Sequence, residues 1–265
     1  MKIGWLTEGL LNLLFPVRGC PLCGTREGKG LCERCRGLVA VAAAEPFCPV
    51  CGRFFRGCGS GVCQECSSHE WPFVFSRAAL PYEDVVRKAV HRLKFGGRRG
   101  GVGFLGELMA AVLKREPRYQ EGEVLVPVPL SAERLRERGF NQAALLAAAV
   151  SERCGMRSVA ALARRPGASS QAQLGKSARN VNVSGLFWVI DRGKVAGKTV
   201  VVVDDVLTTG STMAAVASAL RAAGAKQVFG LVLAAGRTFS HKVPLVPADP
   251  KIDDAGFSTY TANFF

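Results

Sequence analysis

Residues 198–212 read KTVVVVDDVLTTGST, and this stretch decides the fold. Residues 200–203 are an unbroken β-branched run, the composition of a strand buried on both faces of a parallel sheet. Asp204 and Asp205 follow at once, then Leu207-Thr208-Thr209-Gly210-Ser211-Thr212, then an amphipathic run over 213–220. Two adjacent carboxylates cannot both lie unpaired in a core. The strand is therefore expected to cover 200–203 and to release the acids at the carboxyl edge of the sheet, where open α/β folds bind ligands.

The order strand, acidic pair, hydroxyl-rich turn, helix start has a chemical meaning. A helix start offers unpaired N–H groups and the positive end of a dipole. Gly210 lets backbone approach a ligand closely, and Thr208, Thr209, Ser211 and Thr212 add hydroxyl donors. Together they form a cradle for one phosphate monoester. Asp204 and Asp205 are acceptors, suited to sugar hydroxyls. A phosphate site beside a diol site describes a ribose 5-phosphate. An ordinary capped strand–turn–helix accounts for less, because a cap needs one hydroxyl and no acidic pair. The stretch resembles the phosphoribosyl-pyrophosphate (PRPP) motif of type I phosphoribosyltransferases. That resemblance assigns Asp204 and Asp205 to the ribose hydroxyls and to catalysis, and Leu207, Thr208, Thr209, Gly210, Ser211 and Thr212 to the 5-phosphate. No G-x-x-x-x-G-K-[ST] occurs, so the stretch is not a Walker loop.

The charge is uneven. The 265 residues carry 35 Lys+Arg against 21 Asp+Glu, a net +14. Residues 71–200 hold 22 basic and 10 acidic residues, so nearly all of the excess lies there. Such a field suits a polyanion, either a small polyphosphate or nucleic acid.

Nine of the ten cysteines fall within residues 20–66, eight of them in C-x-x-C pairs: Cys20/Cys23, Cys32/Cys35, Cys48/Cys51 and Cys63/Cys66. Thiolates at i and i+3 hold one side of a tetrahedral ion and a second pair completes it, so up to two structural zinc ions are expected. Neighbouring pairs closing locally is the simplest assignment; crossed pairing and a disulfide framework are the alternatives. With no export signal and no run long enough to span a bilayer, a reducing cytoplasmic setting is expected, which favours zinc. Loss of the metal is then expected to unfold 20–66 and leave the later domain largely intact. Residues 3–15 form a short apolar helix candidate ending at Pro16.

The body alternates strand and helix signals: a strand over 73–82 with Arg77 inside it, helices over 83–95 and 105–115, a strand over 124–126, and an alanine-rich helix to about residue 153. The strand at 124–126 runs into VPVP at 126–129, then Leu130, Ser131 and the basic run through Arg134, Arg136 and Arg138 to RGFNQ at 138–142. Prolines fix the exit from the sheet, and the arginines suit a second phosphate group. A solvated, mixed-charge helix turn is the plainer alternative. Residues 164–187, RRPGASSQAQLGKSARNVNVSGLF, include Arg164, Arg165, Lys176 and Arg179 and no acid. A long basic loop beside a phosphate site reads as a lid.

These segments, together with the cysteine pairs and LLNLLFP at 10–16, resemble the ComF family: double-zinc-ribbon proteins with a phosphoribosyltransferase-like domain, several associated with natural competence. The resemblance covers roughly residues 5–237. It implies an α/β fold, a type I phosphoribosyltransferase-like parallel sheet with helices on both faces, preceded by a small cysteine-rich double zinc-ribbon module. The implied domains are 1–70, 71–237 and a loosely ordered tail at 238–265. It further implies PRPP with magnesium as ligand, a pyrophosphate loop and lid formed by Leu130, Ser131, Arg134, Arg136, Arg138, Arg164 and Arg179, and single-stranded DNA and DNA-uptake helicase machinery as partners. Three readings stay open: a transferase acting on an unknown nitrogen acceptor, a single-strand-binding competence factor, and a PRPP sensor without catalysis. Phe54, Phe55, Trp71 and Phe73, near Arg53 and Arg56, would serve the second as stacking platforms; the favoured reading is that they pack the ribbon against the body.

Overall fold

The computed structural model describes residues 19–26, 30–57, 59–95, 101–166 and 185–240. The helix candidate at 3–15, Cys58, Arg98, Arg99, Lys176, Arg179 and the tail from 241 lie outside the described residues. In chain order the cysteine-rich part holds α1 (Glu33–Ala44), β1 (Phe54–Phe55) and α2 (Gln64–Ser67). The body follows with β2 (Phe75–Pro81), α3 (Asp84–Phe95), α4 (Val102–Arg115), β3 (Val124–Pro127), α5 (Ala132–Arg138) and α6 (Gln142–Cys154). It continues with β4 (Arg157–Ser158), β5 (Leu162–Arg164), β6 (Phe187–Val189), β7 (Thr199–Leu207), α7 (Ser211–Ala222), β8 (Gln227–Ala235) and β9 (Arg237–Thr238).

The five-stranded sheet has the order β2-β8-β7-β3-β4, and every pairing in it is parallel. β7 lies at its centre, which is why its apolar residues need no polar face. Alternation splits them between two cores. Val201 and Val203 point into the core shared with α3, α4 and α6, while Val200 and Val202 point into the one covered by α7 and the antiparallel hairpin β5–β6. Helices thus cover both faces, as the sequence predicts.

One expectation is corrected. β7 does not stop at residue 203; it runs to Leu207, with Asp204 opposite Val232 and Leu207 opposite Ala235 of β8. The acids lie within the last part of the strand. β8 is equally long and keeps the ladder closed past them, and Asp205 tolerates its buried position because a cation reaches it.

The cysteine-rich part is stitched to the body rather than tethered to it. β9 follows β8 and pairs with β1, with Phe54 opposite Arg237 and Phe55 opposite Thr238. Arg237 forms ion pairs with Glu45 and with Glu83, the latter at 2.9 Å. Gly52 sits at φ +73°, where a Cβ would lie 2.5 Å from the Ser76 carbonyl oxygen, so only glycine permits this approach to β2. Residues 238–240, the start of the expected tail, are part of this seam, since Ser240 bridges to Cys63.

Arg77, inside β2, is 5% exposed. Its guanidinium pairs with Glu116 at 2.8 Å, donates to the Pro49 carbonyl at 3.1 Å and lies over the Phe47 ring. Hydrogen bonds from Arg118 outweigh burial and, with the charge of Arg77, hold the Glu116 carboxyl down to about 2 from an ordinary 4.5. A depressed carboxylate stabilises the fold above its unfolded value and ceases to as pH falls through its folded one. The wild type is therefore expected to lose stability between pH 4.5 and about 2 through this group. Glu116→Gln should flatten that limb in urea unfolding at stepped pH; an identical limb in the variant would contradict it.

Candidate phosphoribosyl site and metal centres

β3 ends beside β7 just before the acids, because Pro127 pairs with Val203 and the Val128 N–H donates to the Val203 carbonyl at 3.0 Å. This places the loop after β3 next to the acidic pair. Asn141 fastens that loop by donating Nδ2 to the Val128 carbonyl at 2.9 Å and caps α6 by accepting from the Ala143 N–H. Ser131 is buried and caps α5, its hydroxyl accepting from the Arg134 N–H at 3.3 Å. Leu130 is half-buried beside it.

Asp205 is 5% exposed; one oxygen accepts a hydrogen bond and the other makes an ion pair but no hydrogen bond. Oδ2 lies 2.6 Å from Lys94 Nζ and Oδ1 accepts from Gln142 Nε2 at 3.3 Å. Asp204 is half-buried and its Oδ1 accepts from the Asp205 N–H at 2.8 Å. Burial, then the neighbouring Asp205 charge, pushes the Asp204 carboxyl well above the usual carboxylate range.

Beyond the acids, Thr208 and Thr209 are exposed and Gly210, at φ +85°, caps α7. Thr209 Oγ1 and Ser211 Oγ are 2.7 Å apart, and the Ala214 N–H donates to the Gly210 carbonyl. Asp204 and residues 206–213 line a pocket. It is rich in donors at the N-terminus of a 12-residue helix, the arrangement that receives a phosphate. The Leu207 side chain belongs to the core, and its backbone carbonyl is taken by the Gly236 N–H.

The basic residues divide. Arg134 and Arg138, four apart on α5, share a face; Arg136, between them, falls on the other side and is exposed. Arg138 donates to Gln142 Oε1 at 3.3 Å and lies over the Phe95 ring at 4.9 Å. Arg164, at the end of β5, lies over Phe187 and within electrostatic reach of Asp204 and Arg134. Burial and then Arg134 push the guanidinium pKa values of both Arg138 and Arg164 down. The hairpin β5–β6 fixes the two ends of the expected lid, the Arg165 N–H donating to the Leu186 carbonyl. Gln142, at the end of the RGFNQ run, and Lys94 both reach Asp205, and no spacing rule marks the second: Lys94 looks like one more solvated cation on an amphipathic helix.

The eight paired thiols form two clusters, Cys20/Cys23/Cys32/Cys35 and Cys48/Cys51/Cys63/Cys66, in each of which all sulfur atoms lie within 4.8 Å of one another. Neighbouring pairs close locally, as the simplest assignment has it, and four soft donors at this spacing fit tetrahedral zinc. Arg53, 5% exposed, donates to Cys51 Sγ at 3.3 Å and Cys63 Sγ at 3.6 Å, offsetting thiolate charge in the second cluster. Phe54, Phe55 and Phe73 are 2–3% exposed and pack inside, so they do not form stacking platforms.

Trp71 joins the second cluster to the loop between β7 and α7. Its indole N–H donates to Cys66 Sγ at 3.2 Å, its ring stacks on Phe73, and its edge fills the space beside Gly210. A Cβ at Gly210 would lie 3.3 Å from that ring. Gly210→Ala is expected to cost about 1–2 kcal/mol for the left-handed backbone alone, and thermal denaturation of the variant measures it; no loss would mean that the loop relaxes freely.

The family model for a phosphoribosyl transferase domain matches residues 135–243, and that for a double zinc ribbon domain matches residues 10–67. The chain is similar to DNA utilization protein YhgH of Escherichia coli (strain K12), 31% identical over 216 residues, 79% of this chain and 86% of that protein. It is similar to competence protein ComFC of Bacillus subtilis (strain 168), 28% identical over 190 residues, 69% of this chain and 74% of that one. Among solved structures it is similar to the allosteric regulatory enzyme of purine biosynthesis, with 21% identity and a TM-score of 0.37, over 53% of this chain and 29% of that enzyme. Among the described residues no helix is long and apolar enough to cross a membrane.

Proposed function

Because the chain belongs to the ComF family, double-zinc-ribbon proteins with a phosphoribosyltransferase domain, we propose that it binds PRPP with magnesium at the edge of β7 and acts in the cytoplasm in the uptake or use of DNA. The observation that carries the reading is the adjacency of three parts: the acids Asp204 and Asp205, the donor-lined pocket of residues 206–213, and the cations Lys94, Arg138 and Arg164. A ribose diol, a 5-phosphate and a pyrophosphate group need these three chemistries side by side. Phosphoribosyl transfer to a nitrogen acceptor is the reaction such a site supports, since it asks the protein mainly to position the ligand and stabilise charge. Magnesium would be held by the pyrophosphate, water and the Asp204 carboxylate. The DNA role is supported by the names of the relatives, competence and DNA utilization proteins, and by the basic excess over residues 71–200.

Titration with PRPP and with single-stranded DNA, alone and in competition, tests both parts. PRPP is expected to bind only with magnesium present. Strand binding is expected to fall steeply between about 50 and 200 mM salt, as phosphate-dominated contacts do, and to be displaced by saturating PRPP if the two share the arginines of α5 and β5. Absence of PRPP binding would sink the ligand assignment; strand affinity indifferent to salt would remove the electrostatic case for DNA.

A further inference from the structure

Lys94 stands in a position that its helix alone does not explain. It is the penultimate residue of α3, yet its ammonium leaves the helix surface to reach Asp205 Oδ2 at 2.6 Å. The other Asp205 oxygen is held by Gln142, which in turn accepts from Arg138, whose guanidinium lies over Phe95, the neighbour of Lys94. A closed circuit thus links the end of α3, the end of β7 and the basic helix α5. Within it, Lys94 stands against Asp205 Oδ2, the carboxylate oxygen that makes no hydrogen bond and that a ribose hydroxyl would take.

An ammonium on a four-carbon stem is a mobile point charge with three donors. Its side chain is 24% exposed, against 7% for the Asp205 carboxylate, so Lys94 is the partner that can move. A diol that takes Asp205 must displace it, and a displaced cation beside α5 stands next to the arginines that face a pyrophosphate. We propose that Lys94 is a pyrophosphate-contacting residue that exchanges Asp205 for the pyrophosphate group when PRPP binds. Occupation of the diol acceptor and of the anion site are thereby one coupled event. The proposal rests on the phosphoribosyl reading of the site and assigns it a discriminating residue, one that favours PRPP over ribose 5-phosphate.

Calorimetry on the full chain with magnesium, using PRPP, ribose 5-phosphate and inorganic pyrophosphate as probes, tests it. Lys94→Met is expected to weaken PRPP and pyrophosphate about tenfold or more, the loss of one charge-assisted contact. Ribose 5-phosphate should bind as tightly or more tightly, because nothing has to be displaced from Asp205. Repeating the substitution in an Asp205→Asn background, where Asp204 and the phosphate loop still hold the ligand, separates direct from indirect action. A direct contact costs PRPP about tenfold there as well. The proposal is overturned if ribose 5-phosphate weakens along with PRPP, if Lys94→Met leaves PRPP unchanged, or if it costs nothing in the Asp205→Asn background; Lys94 is then only a counter-ion. Should Lys94→Met fail to fold because the Asp205 charge is stranded, the neutral double variant against Asp205→Asn decides the matter alone. A wild type that binds none of the three probes refutes the phosphoribosyl reading itself, a result distinct from a wild type that binds and a Lys94 variant that does not differ.

Discussion

Replacing Asp204 and Asp205 together by asparagine is expected to weaken binding of PRPP with magnesium by about a hundredfold or more, at a few kcal/mol for two charged acceptors, while the fold persists. Asparagine keeps the size of each side chain and an acceptor oxygen. The amide oxygen introduced by Asp204→Asn can still accept the neighbouring N–H that Asp204 accepts at 2.8 Å. What disappears is charge. In the wild type, burial and mutual repulsion already lift the Asp204 carboxyl above its usual range, so removing both charges relieves a cost of folding as it removes the diol acceptors. Lys94 loses its partner, but a side chain 24% exposed can turn to solvent. Thermal stability should therefore change little while affinity collapses. Undiminished affinity in calorimetry would place the ligand elsewhere.

Removing zinc is expected to disable far more than the cysteine-rich part. Metal analysis of reduced protein should give two zinc ions per chain, one for each cluster of four thiols. A strong chelator should then unfold that part cooperatively, because metal binding to such sites supplies folding free energy of about 10–16 kcal/mol in small zinc modules. A separable module would leave the body intact, as the cysteine spacing alone leads one to expect. The packing says otherwise. Cys20, Leu22 and Cys35 belong to the same core as Leu93, Leu105 and Phe75, and Phe54 belongs to the core of Val200 and Val202. β1 pairs with β9, and Trp71 bridges Cys66 to Gly210. Chelation should lower the melting temperature of the body and weaken ribose 5-phosphate binding, with a change in tryptophan emission. A body that melts and binds ligand identically with and without metal would refute this.

Much of the chain was legible because its signals are local. Residues 200–203 could only be a buried strand, since no helix face or half-exposed strand is β-branched throughout. Eight thiols at i, i+3 spacing could hardly avoid metal sites. The acid pair and the hydroxyl-rich turn marked a candidate ligand site, because neither chemistry serves an apolar core. Arg134 and Arg138 were marked by charge density, although it also marked Arg136, which the turn of the helix carries to the other side.

Other features depend on residues far apart in the chain, and periodicity does not reach them. Lys94 and Asp205 are separated by every element from α4 to β6, and their pairing follows from how α3 lies over the sheet. The length of β7 was set by β8, whose unbroken ladder carries the strand past its acids to Leu207. The aromatics near Arg53 pack inside, the plainer of their two readings, and the pairing of β9 with β1 is what encloses Phe54 and Phe55. By itself, the sequence determined the buried strand, the hydroxyl-rich turn that starts a helix and the paired cysteines of the two clusters, because each is specified by the chemistry of a few consecutive residues. Only the tertiary structure decided that Asp205 is paired with Lys94 and that one indole ties Cys66 to the turn at Gly210. Those contacts arise where separate elements meet, and the geometry of that meeting is a property of the whole packed core.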